Sequence, residues 1–421
     1  MMTCRERMGR LMALAVFQLP TLTVFAALEP VSPAGGQRVQ IVPDAQKKVM
    51  SLPTLEERIS FFAEDRRTGK KICHDKYWRK SLPLVLKVRT TAGENGPWKV
   101  QIGKRADLSD ARTWYLKTTK TNAATGREDA AVAGGEIAEI EVPRANLEVG
   151  TRYYWKISWR KLCGWGCCPT HGCKACKQTA ETRVAEFVTE DALPRWIEID
   201  GSVANFRDFG GRYGFAGRRV RQGMIYRGQG LNSNSANGEA PGRNRLTVED
   251  VKYLTETLGI KTDLDLRWPA ETAGLAESPL GAGVKFIQHP SQCYRWIFDK
   301  GGKKTMAENF RVFCDRSNYP VYFHCIGGAD RTGALAYVMN GVLGVSRRDA
   351  ETDWESTFYP NIPDENPDPA YWCRESHFID GLSKYGDPKT AWNECVVLYL
   401  KDCGVTDEEI KTFREIMLEE E

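Results

Sequence analysis

Residues 324–333 read HCIGGADRTG, and the apolar run Val321-Tyr322-Phe323 before them predicts a strand that ends at a cysteine. Gly327 and Gly328 allow a tight loop whose successive N–H groups point inward as an anion site. Thr332-Gly333 begins a predicted helix, so the positive end of its dipole faces the same point. The residues predicted to bind phosphate are Ile326, Gly327, Gly328, Ala329, Asp330, Thr332 and Gly333.

Cys325 is the predicted nucleophile of this loop, because the groups that bind a phosphate dianion also stabilise a thiolate. Arg331 adds a planar, bidentate donor for phosphate oxygens. The thiolate would attack phosphorus and form a phospho-cysteine, and Thr332 would stabilise the sulfur when water hydrolyses that intermediate. We expect His324 to hold the loop by hydrogen bonds rather than to act as a base.

The bare pattern Cys-x5-Arg is weak evidence, since it occurs three times, at Cys4, Cys73 and Cys325. Cys4 lies within the first 27 residues, which predict an export signal, and the residues after Cys73 include no glycine that would let amides close round an anion. The alternative for Cys325 is a buried cysteine in a strand–turn–helix crossover, which leaves the glycines and Arg331 unexplained.

Three further stretches carry a family resemblance. They are Asn205-Phe206-Arg207-Asp208-Phe209-Gly210-Gly211 with Arg219–Arg227 after it, Asp265-Leu266-Arg267, and Asp353-Trp354-Glu355. In this order they resemble the bacterial tyrosine phosphatase family of the protein tyrosine phosphatase superfamily, whose members include dual-specificity protein and phosphoinositide phosphatases. The resemblance spans about residues 196 to 421. It implies supporting roles for Asn205, Arg207, Asp208 and Arg267, beside His324.

The resemblance makes Asp265 the predicted general acid, with Cys325 and Arg331 as the other catalytic residues. Asp330 and Asp208 are its rivals, and Asp265 has a second reading as a partner of Arg267 or of helix caps. The Asp-x-Asp at 263–265 also resembles a haloacid-dehalogenase-type phosphatase, but that reading leaves the Cys325 loop without a role.

The expected function is an enzyme that hydrolyses phosphate monoesters, with phosphotyrosine as the first choice and no cofactor or metal. A phosphoinositide or inositol phosphate phosphatase is an alternative, but such members often carry Lys where this chain has Ala329. A second alternative is a catalytically inactive phosphate-binding module. The presence of both Cys325 and Arg331 argues against this alternative. A rhodanese-like loop predicts a different Cys-to-Arg spacing. The expected partner is a phosphorylated protein or a small phosphate ester.

Two domains are expected in 421 residues. Strands alternate with helices over 191–421, which predicts an α/β domain with a central sheet flanked by helices. Residues 40–190 read as an all-β sandwich-like domain after one helix at about Thr54 to Glu64. Within it, Leu147–Ile157 resembles the late strand of a fibronectin type III-like fold, with Tyr153 as its corner tyrosine. We expect this domain to act as a spacer or binding module.

Residues 1–27 predict a cleaved export signal, with Arg5, Arg7 and Arg10 before an apolar run and Val24-Phe25-Ala26 at its end. A retained anchor is the alternative. The mature protein is expected in the periplasm or outside the cell, without stable insertion in a membrane. A net charge of +4 is too small to indicate a nucleic-acid partner.

A cysteine-rich loop occupies residues 163–176 and contains Cys163, Cys167, Cys168, Cys173 and Cys176, with His171 among them. Export favours disulfides, with Cys73 as a sixth partner. A zinc site is the alternative, because Cys-x2-Cys spacing suits tetrahedral thiolate ligation.

Overall fold

The computed structural model describes residues 26–68, 81–90, 97–116, 136–160, 179–201, 203–232, 245–272, 274–358 and 376–420. The cysteine-rich loop, Cys73 and residues 1–25 of the predicted signal lie outside these ranges, so the disulfide, zinc and export expectations stay predictions. No helix of the described residues is long and apolar enough to cross a membrane.

In the N-terminal part, the described residues form a nine-stranded sheet in the order β2-β9-β7-β8-β1-β3-β6, with β4 between β5 and β7. The strands are β1 Ala26–Ser32, β2 Gln37–Val39, β3 Leu84–Arg89, β4 Trp98–Gly103, β5 Arg112–Leu116, β6 Ile137–Val142, β7 Arg152–Arg160, β8 Thr179–Thr182 and β9 Ala185–Thr189. Alternate residues of β3, β4 and β6 are buried, as half-buried strands require. Leu86, Ile140, Trp98 and Trp155 meet in one core.

The predicted strands of this part recur in the structure with shifted bounds. The late strand begins at Arg152 rather than Leu147, because residues 149–150 form a turn in which Gly150 has positive φ. The hydroxyl of Tyr153 accepts a hydrogen bond from the backbone N–H of Glu148, 2.9 Å away, as a corner tyrosine does. The fibronectin type III-like identity stays a prediction.

Two elements differ from the sequence expectation. The stretch predicted as one last strand, 182–189, contains only the last residue of β8, Thr182, and then β9, which begins at Ala185. The two strands have different partners, since β8 pairs with β1 and β9 with β2. Ala26 and Ala27, the last two residues of the predicted signal, pair with β8 as part of β1.

A mixed sheet of five described strands forms the C-terminal part, in the order β10-β11-β14-β12-β13. The strands are β10 Arg207–Asp208, β11 Ile225–Gln229, β12 Thr262–Asp265, β13 Lys285–Gln288 and β14 Val321–Cys325. All pair in parallel except β10, which is antiparallel to β11. Since parallel strands end at one edge, the sheet brings the ends of β11, β12 and β14 together.

Helices flank this sheet, as the sequence predicts. The helices of the C-terminal part in the described residues are α3 Val248–Lys252, α4 Lys300–Val312, α5 Asp330–Val342, α6 Arg347–Glu355, α7 Phe378–Ser383, α8 Trp392–Asp402 and α9 Asp407–Met417. Two further helices, α1 Asp44–Ser51 and α2 Leu55–Thr68, lie in the N-terminal part. The predicted helix 246–258 is α3 followed by a π-helical turn at Tyr253–Thr257. Helix α5 is buried from Thr332 to its end and packs against α6 and α8. The predicted capping box of Thr406 and Glu409 begins α9.

The two parts are joined through buried polar contacts. Arg58 of α2 is fully buried and donates to Glu351 and Glu355 of α6, at 2.6 and 2.7 Å. Asn146 donates to the hydroxyl of Tyr253 at 2.8 Å. An N-terminal helix therefore contributes a side chain to the interior of the C-terminal part.

Candidate active site

The phosphate-binding loop predicted from sequence connects the end of β14 to the start of α5. Cys325 ends the strand and is 2 % exposed, and Asp330 begins the helix. Because β14 lies between β11 and β12, the loop emerges in the middle of the sheet, at its carboxyl edge.

Four successive carbonyl groups of this loop are held by donors behind it. The pairs are Cys325 O with His324 Nδ1 at 3.2 Å, Ile326 O with Gly230 N at 3.0 Å, Gly327 O with Asn205 Nδ2 at 3.2 Å, and Gly328 O with Arg227 Nη2 at 2.9 Å. Within a planar trans peptide, the N–H of the next residue points opposite to the carbonyl. The N–H groups of residues 326–329 are therefore turned to the other side, where they form an anion nest.

Glycine is required at two positions that bring neighbouring segments against the loop. Gly328 has φ of 72°, and a Cβ there would lie 2.3 Å from the carbonyl oxygen of Gly228. At Gly333, a Cβ would lie 2.5 Å from the ring of Trp354. The first glycine lets the loop approach β11, and the second lets α5 approach α6.

A buried carboxylate holds the arginines behind the loop. Asp353 of α6 accepts from Arg207 at 3.3 Å, Arg212 at 2.9 Å and Arg227 at 2.7 Å. Burial would raise the pKa of Asp353, but the three arginines outweigh it and hold that pKa well below the usual range. Arg207, of the stretch that resembles the family's N-F-R-D element, and Arg227, of the Y-R element, thus both bind Asp353. Asp353 holds Arg227 in place, and Arg227 in turn binds the loop at Gly328 O.

His324 and Asn205, for which supporting roles are predicted, both contact backbone carbonyl groups of the loop. His324 also faces Asp263, with Nε2 3.0 Å from the carboxylate, so the first residue of the Asp-x-Asp pair orients the histidine. Asp208 lies away from the loop, where its carboxylate accepts from Arg195 and from the N–H groups of Gly210 and Gly223. These contacts give Asp208 a structural role.

The carboxylate of Asp265 is fully buried and does not face the loop as a free acid. It accepts from Nε, Nη2 and the backbone N–H of Arg267, at 2.7–3.1 Å. Burial would raise the pKa of Asp265, but the charge of His324 and the bonds from Arg267 outweigh it and lower that pKa. The geometry therefore favours the second reading, in which Asp265 is the ion-pair partner of Arg267.

Asp330, a rival of Asp265 as the predicted acid, is part of the predicted phosphate-binding loop itself. It lies in the first turn of α5, beside Arg331, and the hydroxyl of Tyr294 contacts its carboxylate. Burial raises the pKa of Asp330 and outweighs the opposing bond from Tyr294. A raised pKa favours the protonated form, which a general acid needs.

Arg331 is held in place by a residue that the sequence interpretation missed. Its Nη1 and Nη2 donate to the two carboxylate oxygens of Glu271, at 2.7 and 2.9 Å. The signal for Glu271 is the spacing Trp268-Pro269-Ala270-Glu271 directly after Arg267, which matches the capped 3-10 turn Pro269–Glu271.

The hydroxyl of Thr332 is buried and finds no hydrogen-bond partner within the described ranges. Ala329, also at a predicted phosphate-binding position, is 2 % exposed. Across the part of the chain that the structure covers, His, Cys, Asp and Glu form no group able to hold a metal ion.

Comparison with known proteins finds a family model that matches the part of the chain containing the loop and its supporting elements. Residues 197–361 match the model of the tyrosine phosphatase family, which agrees with the resemblance of the sequence motifs. This match covers the site and leaves the N-terminal part outside.

A curated relative shows the same likeness. The chain is 29 % identical over 171 residues to the "Putative tyrosine-protein phosphatase H16_A0669" of Cupriavidus necator, which covers 35 % of this chain. The chain spans 58 % of the length of that relative.

Among solved structures, similarity is found to the core catalytic domain of the PP-IP phosphatase SIW14 from S. cerevisiae in complex with citrate. The identity is 17 %, over 39 % of this chain and 93 % of that chain, with a TM-score of 0.23. A second structure of the Siw14 catalytic core is 16 % identical over 36 % of this chain and 79 % of its own, with a TM-score of 0.23. Scores of this size do not establish a shared fold.

Proposed function

We propose that this chain is a phosphatase that hydrolyses phosphate monoesters through a phospho-cysteine intermediate. The observation that carries the proposal is the loop at Cys325, whose carbonyl groups are all held from behind while Arg331 stands at its end. A preorganised ring of N–H donors stabilises the charge of a transferring phosphoryl group without reorganisation during the reaction.

The first step forms a sulfur–phosphorus bond. The Cys325 thiolate attacks phosphorus, the ester P–O bond breaks, and Asp330 gives its proton to the leaving oxygen. The geometry supports Asp330 over Asp265 in this role, because Asp265 is fully paired with Arg267. Arg331 and the loop N–H groups bind the three equatorial oxygens.

The second step returns the enzyme to its starting state. Water attacks the phospho-cysteine, its proton passes to the Asp330 carboxylate, and the P–S bond breaks with release of inorganic phosphate. The unpartnered hydroxyl of Thr332 donates a hydrogen bond to the departing thiolate. No step needs a metal ion, so we expect a chelator to leave turnover unchanged.

We infer that aryl phosphates, with phosphotyrosine in a protein as the first choice, are the preferred substrates. Ala329 offers no cation to a second phosphate, and Glu271 places an anion against Arg331. Trp268, on the turn of Glu271, and Trp296, close in sequence to Tyr294, are each more than two-fifths exposed. Aromatic faces of this kind stack on aryl groups.

The test is a substrate panel of phosphotyrosine peptide, phosphoserine peptide, phosphoinositide and inositol phosphate. We expect the highest kcat/KM for the phosphotyrosine peptide. A higher value for the phosphoinositide or the inositol phosphate would reverse the specificity and leave the mechanism standing. A purified, folded chain without turnover of any ester would be a phosphate-binding module.

We further propose that the protein is exported to the periplasm or the cell exterior, on the basis of the basic and apolar residues of the first 27 positions. N-terminal sequencing of the protein from an oxidising compartment tests this. A chain that retains residues 1–27 in the cytosol would contradict it.

A further inference from the structure

Glu271 binds Arg331 through one edge of its guanidinium group. The two bonds use Nη1 and Nη2, at 2.7 and 2.9 Å, and so occupy the end of the group. A guanidinium has five N–H donors in a planar fork. The Nε–H and one further N–H on each terminal nitrogen are not taken by Glu271 and can bind a phosphoryl group.

The carboxylate of Glu271 is itself fixed by its own turn. One of its oxygens accepts from the backbone N–H of Trp268 at 2.6 Å, and Pro269 sets the first residue of the turn. The side chain is 26 % exposed and that of Arg331 is 14 % exposed. A rigid anchor of this kind removes rotamer freedom from Arg331 before the substrate arrives.

The pKa shifts of Glu271 and Arg331 both favour the charged forms, as expected for a permanent ion pair. Burial would raise the pKa of Glu271, but the hydrogen bond from Arg331 and that from the Trp268 N–H lower it below the usual range. Burial would lower the pKa of Arg331, but its bonds to Glu271 outweigh this and raise that pKa further. The pair thus stays charged over the range in which the enzyme would operate.

We propose that Glu271 is a positioning residue, which aims the guanidinium of Arg331 at the phosphoryl oxygens in the transition state. This inference rests on the proposed phosphatase function. Glu271 itself does not touch the substrate. A displacement of about 1 Å in a group that binds the transition state is enough to cost about 100-fold in rate.

A competing role makes the opposite prediction. If Glu271 acted as a block that the phosphate must displace, removing its charge would strengthen phosphate binding and raise turnover. If it positions Arg331, removing its charge loosens the guanidinium, and the loss appears in the transition state more than in the ground state.

The decisive variant is Glu271→Gln, which keeps an acceptor for Trp268 and removes the charge. We expect kcat for an aryl phosphate to fall about 10- to 100-fold, with KM within about threefold of the original. Orthovanadate, which mimics the five-coordinate transition state, should lose affinity by a similar factor as kcat. Inorganic phosphate should lose much less.

Glu409→Gln provides a matched control. Glu409 also pairs with an arginine, Arg311, at 2.7 Å, also accepts from the first residue of its own capped turn, and is also 26 % exposed. It lies on α9, outside the site. This variant should match Glu271→Gln in thermal stability within the error of a melting curve and leave kcat unchanged.

The outcomes separate the inference from the proposed function. Unchanged or increased kcat and vanadate affinity in Glu271→Gln would overturn the positioning role, as would an equal loss in Glu409→Gln. If the original chain turns over no ester, the proposed function fails. Titration calorimetry with vanadate then still decides whether Glu271 orders Arg331. Should Glu271→Gln fold poorly, Glu271→Asp, which is too short to span the same distance, serves in its place and should show the same kcat loss.

Discussion

Asp265 and Arg267 form a closed pair, in which the carboxylate receives the Nε, the Nη2 and the backbone N–H of the same arginine. The pair is fully buried at the carboxyl end of β12, one strand away from Cys325. With its pKa lowered, Asp265 has no proton to give near neutral pH, so the leaving group must obtain its proton elsewhere.

Replacing Asp330 with Asn should therefore lower kcat by roughly 10²–10⁴-fold. The acid must be protonated, so activity of the original enzyme falls as pH rises through the raised pKa of Asp330, and this limb should flatten in the variant. The pH dependence of kcat over the neutral and basic range checks this.

Asp265→Asn should lower the stability of the fold and have a smaller effect on kcat. The pKa of Asp265 is lower in the folded state than in the unfolded state, so its carboxylate stabilises the fold at pH values above the ordinary aspartate pKa. This stabilisation is lost as pH falls through the pKa of the folded state. Thermal melts of the variant should show a lower midpoint at neutral pH and a smaller loss on acidification. A large fall in kcat for this variant, with Asp330→Asn unaffected, would restore Asp265 as the acid.

Cys325→Ser should abolish turnover while binding of phosphate and vanadate survives, because the N–H groups of the loop do not depend on the sulfur. Steady-state kinetics and calorimetry on the same preparation measure both quantities. Substantial residual turnover would sink the phospho-cysteine mechanism.

Asp353→Asn should destabilise the fold by about 3–5 kcal/mol, since it leaves three buried guanidinium groups without their shared counter-charge. Denaturant unfolding measures this loss. The exposed Glu408→Gln on α9 is the control, and a loss no larger than the control's would show that the arginines find other partners.

Glu355 should make the fold less stable as pH rises, which is the opposite of the usual effect of a paired carboxylate. Burial raises its pKa to about 8, because one guanidinium, that of Arg58, serves two carboxylates and does not fully offset the burial. The folded state then binds the proton more tightly than the unfolded one, so stability falls as pH rises from the ordinary glutamate pKa to about 8. Glu355→Gln should flatten this slope in melts between pH 5 and 8, and an unchanged slope would assign it to other groups.

The sequence predicted those parts of the site that are local in the chain. The loop from His324 to Gly333 could be predicted because strand, glycines, arginine and helix start are contiguous in the chain. Of the two glycines predicted to allow the tight loop, Gly328 is required by the close approach of the backbone at Gly228. The alternation of strands and helices likewise predicted the C-terminal sheet without its strand order.

What the sequence could not predict were contacts between distant segments. Asp265 could be ranked as an acid by its motif, yet whether it faces the site depends on the side chain of Arg267, which folds back on it. Glu271 and Tyr294 reach the loop only after β12 has been placed beside β14 and β13 beside β12. Burial, which raises the pKa of Asp330, is a property of the packed fold.

The contact of Arg58 with α6 limits how the N-terminal and C-terminal halves can be exchanged by recombination. Glu351 and Glu355 lie on the same helix as Asp353. A C-terminal half joined to a different N-terminal partner, without α2, would lack Arg58, and both acidic side chains would then have lost the guanidinium group that they share. Exchange of the N-terminal half for an unrelated module would need compensating changes at positions 351 and 355. We therefore expect natural recombination to carry α2 along with the C-terminal half, so that the evolutionary joint lies before α2 rather than at residue 191.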